Sequence, residues 1–187
     1  KQVLKPKILD ITNTIAELAS LLRRLVGSGI KLDIRHARDL NLVKVDQGQL
    51  EQVIINLVVN ARDAINAVGA VGTISINTRN VSVKNADKIH RDLVAAVPND
   101  KITAGRYVLI EVQDTGTGIP KKVKDKIFDP FFSTKDIGAG TGLGLSTVYG
   151  IINQISGFIY LDSEEGKGSA FYIYLKEFND DQRGEEM

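Results

Sequence analysis

The amino-acid sequence predicts an α/β fold, a mixed and mostly antiparallel sheet with its helices on one face. Three observations lead there. Several short stretches alternate apolar and polar residues as half-buried strands do. Stretches with apolar residues three and four apart are interleaved with them. Tight turns near both ends of the chain require antiparallel neighbours, which an all-parallel arrangement would not allow.

The elements follow in order. Ile11, Ile15, Leu18, Leu22 and Leu25 share one helical face, closed by Gly27 to Gly29. "IKLDIR" alternates as a strand and "LNLVKV" is its expected hairpin partner. A long helix is expected from Gln47 to Val68, then strands over "GTISINTRNVSV" and "RYVLIEVQD". The polar stretch between those strands, Lys84 to Gly105, reads as a surface insertion with a short helix. "KKVKDKIFDPFF" is a short helix running into an aromatic patch, and glycines crowd the loop from Ser133 to Gly142. "LGLSTVYGIINQIS" is helical, and "GFIYLDSE" and "SAFYIYLKE" are strands joined by an "EGKG" turn. Residues 1–178 form one domain, and the acidic stretch 179–187 reads as a linker or tail.

Composition excludes several classes. At 187 residues with 43% hydrophobic and 25% charged content, the chain has the make-up of a globular domain with a real core. A net charge of +1 gives no basis for a nucleic-acid or membrane-binding field. The lysines from Lys121 to Lys126 read as a solvated helix face. Zero cysteines exclude disulfides, thiolate zinc sites and cysteine nucleophiles, and fit a reducing compartment. No apolar run approaches the roughly 20 residues that span a bilayer. The opening "KQVLKP", without an initiator Met, suggests a fragment of something larger.

The helix "VIINLVVNARDAI", Val53 to Ile65, poses a chemical question. Leu50, Val53, Ile54, Leu57, Ala61, Ala64, Ile65 and Val68 make an apolar stripe for the sheet, while Gln52, Asn56, Asn60 and Asp63 make a polar one. Asn is about 0.5 kcal/mol worse than Ala in a helix. Either the amides meet neighbouring backbone at a helix edge, or they point into a cleft and bind a ligand. A side-chain amide oxygen is a hard neutral donor suited to Mg²⁺, which keeps water and phosphate in its other positions.

Two glycine clusters bear on that choice. "DTGTGIP" leaves a strand and turns at once, placing Asp114, an acceptor-only carboxylate suited to an amino group, at the strand end. A plain turn explains it equally well. "GAGTGLGLSTV" puts Gly140, Gly142 and Gly144 at a loop-to-helix junction, where unpaired N–H groups and the helix dipole favour phosphate. Neither the P-loop nor the dinucleotide fingerprint has this spacing, and the long glycine-rich loop can serve as a flexible lid. "HRDL" at His90 lacks the rest of a protein-kinase set, since Val97 stands where Asn is required. "DTGT" matches an aspartic-protease loop, but its single copy would demand a homodimer.

Taken in order, "NLVVNARDA", "DTGTGIP", "IFDPFFSTK" and "GTGLGLS" resemble the N, G1, F and G2 boxes of the GHKL (Bergerat-fold) superfamily, and within it the catalytic, ATP-binding domain of bacterial sensor histidine kinases. The resemblance spans about Leu9 to Leu175. It implies a two-layer α/β sandwich with ATP between the N-box helix and a flexible lid. Asn60 would be the Mg²⁺ ligand, and Asn56 and Asp63 its neighbours near the phosphates. Asp114 would accept from the adenine amino group in a pocket shaped by Gly116, Gly118 and Ile119. Phe128, Phe131 and Phe132 would anchor the lid. Gly140, Thr141, Gly142, Leu143, Gly144 and Leu145 would wrap the phosphates, with Lys135 a cationic helper, and Ser169 stands where the family often has Thr near the adenine.

The function this implies is binding of ATP and Mg²⁺ and donation of the γ-phosphoryl group to a histidine, in two-component signalling. The hydrolase branch of the superfamily has a glutamate one turn before the Mg²⁺ asparagine; here that position is Asn56, a neutral amide that cannot act as general base. His36 and His90 lack the helical context of a phosphoacceptor. The accepting histidine is therefore expected on a separate upstream domain, with a receiver domain or response regulator downstream in the relay. The fragment is expected to be monomeric, to bind no nucleic acid and to be cytoplasmic, as part of a larger kinase. An alternative is a regulatory module that senses ATP without turnover, with cyclic di-GMP stacking on Tyr149 as a second ligand; plain packing of Tyr149 is the other reading. A homodimeric aspartic protease built on Asp114 is a remote third.

Overall fold

In the computed structural model, residues 3–84, 94–95, 101–132 and 144–179 are described. The chain runs β1 (Pro6–Leu9), α1 (Ile11–Val26), β2 (Ile30–His36), β3 (Val43–Asp46), α2 (Gln47–Asn66), β4 (Gly72–Val83), β5 (Val94–Ala95) and β6 (Gly105–Asp114). A 3₁₀ helix (Lys121–Lys126), α3 (Gly144–Gln154), β7 (Phe158–Glu164) and β8 (Gly168–Lys176) complete it. The expected short helix within Lys84 to Gly105 lies outside the described residues, as do residues 180–187 of the tail.

The main sheet is six-stranded in the order β2-β4-β6-β8-β7-β5. Only β2–β4 is parallel; the other pairs are antiparallel, so the mixed, mostly antiparallel α/β expectation holds. The expected hairpin between "IKLDIR" and "LNLVKV" does not form. β2 instead runs beside β4, with Ile30 opposite Gly72, and β3 pairs with β1 in a separate two-stranded sheet, with Leu9 opposite Val43. The connection between them is drawn to β4: Ala37 N–H donates to the Thr78 carbonyl at 2.9 Å, and the Asn80 amide bonds Asn41 N–H and the Asp39 carbonyl. Those bonds turn the chain away from its neighbour in sequence.

Helix starts obey local chemistry. Asp10 caps α1 by accepting from Thr12 N–H at 2.9 Å, and Asp46 caps α2 by accepting from Gln49 N–H at 3.1 Å. Asp46 also takes Lys5 N–H, and the two backbone donors hold its carboxyl below the ordinary range. α2 stops at Asn66, two residues before the expected end, so Val68 is 54% exposed and leaves the apolar stripe. Val58, next to the polar stripe, is buried as well.

The helices cover one face of the sheet. Ile15, Leu22, Leu50, Ile54, Leu57 and Ile65 pack there with Ile74, Ile76, Val108, Ile110 and Ile173 in one core. The opposite face carries a second, smaller cluster of Val83, Ile102, Tyr107, Leu109, Tyr160 and Tyr174. Its rings meet edge to face at 5.9–6.1 Å. Among the described residues, no helix is long and apolar enough to cross a membrane.

Candidate functional site

α2 carries the two asparagines on the side that faces the start of α3. The Gln52 side chain donates to Asn56 Oδ1 at 2.7 Å, and Asn56 Nδ2 donates to the Gly144 carbonyl at 3.3 Å. Both ends of the Asn56 amide are therefore engaged. Asn60 differs. Among the described residues its buried Nδ2 has no hydrogen-bond partner, and its amide atoms lie 3.5 and 3.7 Å from where a side chain at Gly144 would begin. A buried amide donor left unpaired costs about 1–3 kcal/mol. At Asn60 that deficit opens beside the first residue of α3, where a ligand oxygen would relieve it. Asp63 pairs with Arg62 at 2.8 Å, and Arg62 also donates to the Leu25 carbonyl at 3.1 Å, tying the stripe to α1.

One turn farther along α2, the turn after β6 docks. Gly116 sits so close to Ala64 that a Cβ there would lie 2.6 Å from the Ala64 backbone carbon and Cβ. Thr117 N–H donates to the Ala64 carbonyl at 3.2 Å. Gly118 has φ +67° and abuts the Glu164 carbonyl, so glycine is required there both for conformation and for space. Asp114, the last residue of β6, is 5% exposed. Its carboxylate accepts from Gly116 N–H at 2.8 Å. Burial pushes its carboxyl above the ordinary range, against the lowering effect of the Gly116 and Ser169 N–H groups. Ser169 stands opposite Asp114 in the β6–β8 register and is buried. Ile119 is half-buried against the core.

The aromatic segment follows the 3₁₀ helix, which replaces the short α-helix expected there. Phe128 is buried, meeting Phe171 edge-on at 6.3 Å and Tyr149 at 6.2 Å. Phe132 and Leu145 pack partly buried against the same core. Phe131 does not join them: it is 77% exposed with φ +64°, an uncommon backbone conformation for an aromatic residue. Lys124, expected on a solvated face, donates to the Ser163 carbonyl. Lys135, Gly140, Thr141, Gly142 and Leu143 lie outside the described residues.

Three participants were missed in the sequence. Ala64 is the floor under Gly116, and Thr117 fastens the turn to it. Ser163 accepts from Ile119 N–H at 2.8 Å and lies 2.8 Å from Ser169 Oγ. Its signal was available: after Ile159 and Leu161, the alternation of β7 places Ser163 on the core-facing side, where a hydroxyl is out of pattern.

The chemistry of this arrangement is bipartite. A carboxylate that accepts hydrogen bonds, at the head of the turn seated on Ala64, and the start of the helix α3, tied to Asn56, meet along α2. The turns at Asn60 and Ala64 are about 6 Å apart along the helix at about 1.5 Å per residue. Such a site can take a molecule with an amine-bearing head and an anionic tail. Among the described residues, no group of three His, Cys, Asp or Glu side chains could hold a metal. A divalent ion here would need amide, water and phosphate oxygens, and the Asn60 amide, whose buried nitrogen has no partner among the described residues, offers a hard neutral oxygen to that donor set.

Comparison with known proteins shows the family. The sequence profile of the histidine kinase-, DNA gyrase B- and HSP90-like ATPases matches residues 45–179. The chain is 52% identical over 187 residues to the sensor kinase CckA of Brucella abortus (strain 2308), covering all of this chain and 18% of that protein. It superposes on full-length ShkA in complex with AMPPNP with a TM-score of 0.70 at 20% identity, covering 95% of this chain and 33% of that one. It matches the catalytic domain of the histidine kinase ThkA with a TM-score of 0.63 at 26% identity, covering 92% and 96%. The chain spans 18–23% of the length of the curated relatives compared first. The chain belongs to the family of histidine kinase-, DNA gyrase B- and HSP90-like ATPases.

Proposed function

We propose that this chain is the ATP-binding catalytic domain of a sensor histidine kinase, which binds ATP with Mg²⁺ and passes the γ-phosphoryl group to a histidine on a separate domain. The observation that carries the reading is the placement of the Asn60 amide beside Gly144 at the start of α3, one helical turn from the Ala64 floor on which the Asp114–Gly116 turn rests. Asp114 would accept from the adenine amino group, and the first N–H groups of α3 would face the phosphates. Asn60 would hold Mg²⁺ by its amide oxygen, and the ion would neutralise charge on the phosphate oxygens.

Asn56 favours transfer over hydrolysis. Its amide is neutral and engaged at both ends by Gln52 and Gly144, so it can neither take a proton from water nor turn to do so. An imidazole nitrogen already carries a lone pair; as it bonds to the γ-phosphorus, the bond to the departing ADP oxygen breaks, and positioning is the main requirement. His36 is held on β2 by a 2.7 Å contact with Thr78, which suits a structural role. In this reading the acceptor histidine and the receiver domain lie in other parts of the signalling system, and the domain works in the cytoplasm, where ATP is supplied. The second reading, cyclic di-GMP on Tyr149, has no observation in its favour, because that ring is partly buried and packed on Phe128.

The test is phosphotransfer in trans. The chain is mixed with γ-labelled ATP, Mg²⁺ and a histidine-bearing acceptor domain from a sensor kinase. Acid-labile, alkali-stable label on the acceptor is expected. Release of free phosphate at the same rate with and without acceptor, and no labelled acceptor, would instead indicate a hydrolase.

A further inference from the structure

Ser163 lies on β7 and is 6% exposed, with its hydroxyl between the two walls of the Asp114 site. Three groups surround Ser163 Oγ. Ile119 N–H donates to it at 2.8 Å, it donates to the Gly168 carbonyl at 3.0 Å, and Ser169 Oγ lies at 2.8 Å. A hydroxyl has one proton and two lone pairs. The carbonyl of Gly168 can only accept, so in the 3.0 Å contact with it Ser163 is the donor and its proton points there. The Ile119 amide can only donate, which takes one lone pair. The remaining lone pair can be satisfied by Ser169 only if the Ser169 hydroxyl donates. That leaves Ser169 Oγ with lone pairs alone for any further partner.

This matters because Ser169 stands opposite Asp114, and Asp114 as a carboxylate also only accepts. Resting on the nucleotide reading above, we propose that Ser163 is a positioning residue for purine selection: it fixes the direction of the Ser169 hydroxyl, so that Asp114 and Ser169 both present acceptors to the base. Such an edge favours a purine with an amino group at C6 and disfavours one with a carbonyl there, because two acceptors facing a carbonyl oxygen leave it unpaired. The same hydroxyl fastens the turn at Ile119 to the β7–β8 hairpin, so orientation and loop position depend on one group.

The experiment measures dissociation constants of ATP, GTP and purine riboside triphosphate for the wild-type chain, Ser163→Ala, Ser163→Thr and Ser169→Ala. Removing the Ser163 hydroxyl frees Ser169 to turn and donate, so Ser163→Ala should narrow the ATP-to-GTP preference about tenfold, the factor that one hydrogen bond supplies. Ser163→Thr, which keeps the hydroxyl, should restore the preference. Ser169→Ala should narrow it to a similar degree and supplies the test if Ser163→Ala does not fold. A loss of folding alone lowers all three affinities together and leaves their ratios unchanged. An ATP-to-GTP ratio in Ser163→Ala or Ser169→Ala equal to wild type, with ATP still bound, would overturn the proposal. Absence of ATP binding by the wild-type chain would overturn the nucleotide reading itself.

Discussion

Asn56 and Gly144 are 88 positions apart in sequence, yet the Asn56 amide donates to the Gly144 carbonyl at 3.3 Å. The bond joins the middle of α2 to the first residue of α3, and Gln52 supports it from the preceding turn at 2.7 Å. The start of α3 is thus held by a side chain that itself has no acid–base chemistry. Asn56→Ala should lower stability by about 1 kcal/mol, the usual net worth of such a bond. Urea unfolding should show an earlier midpoint with an unchanged slope. ATP affinity should fall in the same variant, because the start of α3 is no longer tethered.

Gly116 and Gly150 make a contrasting pair. A Cβ at Gly116 would meet Ala64 at 2.6 Å, whereas one at Gly150, inside α3, meets nothing within 4 Å among the described residues. Gly116→Ala should destabilise the fold by about 1–3 kcal/mol through overpacking and weaken ATP binding. Gly150→Ala should stabilise it by up to about 1 kcal/mol through helix propensity. Thermal melting of the two variants checks both signs.

The Asp114 carboxyl is raised above its ordinary 3.8 by burial. The native state therefore keeps a proton at pH values where the unfolded chain has lost it. Stability falls as pH climbs from 3.8 toward the raised value and stays lower above it. Asp114→Asn removes this dependence, so its stability advantage over wild type should grow across that window and then level off. ATP affinity of the wild type should run the other way, weakening as pH drops and the carboxylate takes its proton. Melting and ATP titrations across pH 3 to 8, at roughly unit steps, compare the two trends.

Phe128 and Phe131 should separate in their effects. Phe128 is 7% exposed between Phe171 and Tyr149, while Phe131 is 77% exposed. Phe128→Ala should cost about 3–5 kcal/mol. Phe131→Ala should stay within about 0.5 kcal/mol of wild type, as surface substitutions usually do. Phe131→Gly, which relieves the φ of +64°, should be neutral or stabilising. Chemical denaturation ranks all three.

Where the sequence was legible, the signal was local. β4 alternates strongly, β6, β7 and β8 are rich in β-branched, aromatic and other apolar residues, and apolar periodicity marked α1 and α2 to within two residues. The misassigned hairpin shows the limit. "IKLDIR" and "LNLVKV" both alternate, and a local loop is easier to close than a distant one. What separates them is the Thr78 carbonyl and the Asn80 side chain on β4, which no window of sequence brings near Ala37 and Asn41. β1 was invisible for a related reason, being four residues with a proline at its start. At the site, Asn56, Asn60 and Asp114 stood out because polar residues on apolar elements are costly. The roles of Ala64 and Thr117 in seating the turn were not legible, since a small residue on a helix acquires meaning only from what rests on it. Phe131 looked like its neighbours in "DPFF", and only its backbone conformation sets it outside the core.

The central claim is that Asn60 is the point where the helix meets a metal-bound phosphate tail. Calorimetric titration of ATP into the wild-type chain and Asn60→Ala, each with and without Mg²⁺, tests it most directly. Wild type should bind ATP more tightly with Mg²⁺ present, by about tenfold or more, and Asn60→Ala should lose that gain while melting near the wild-type temperature. Equal ATP affinity in all four titrations would contradict the claim.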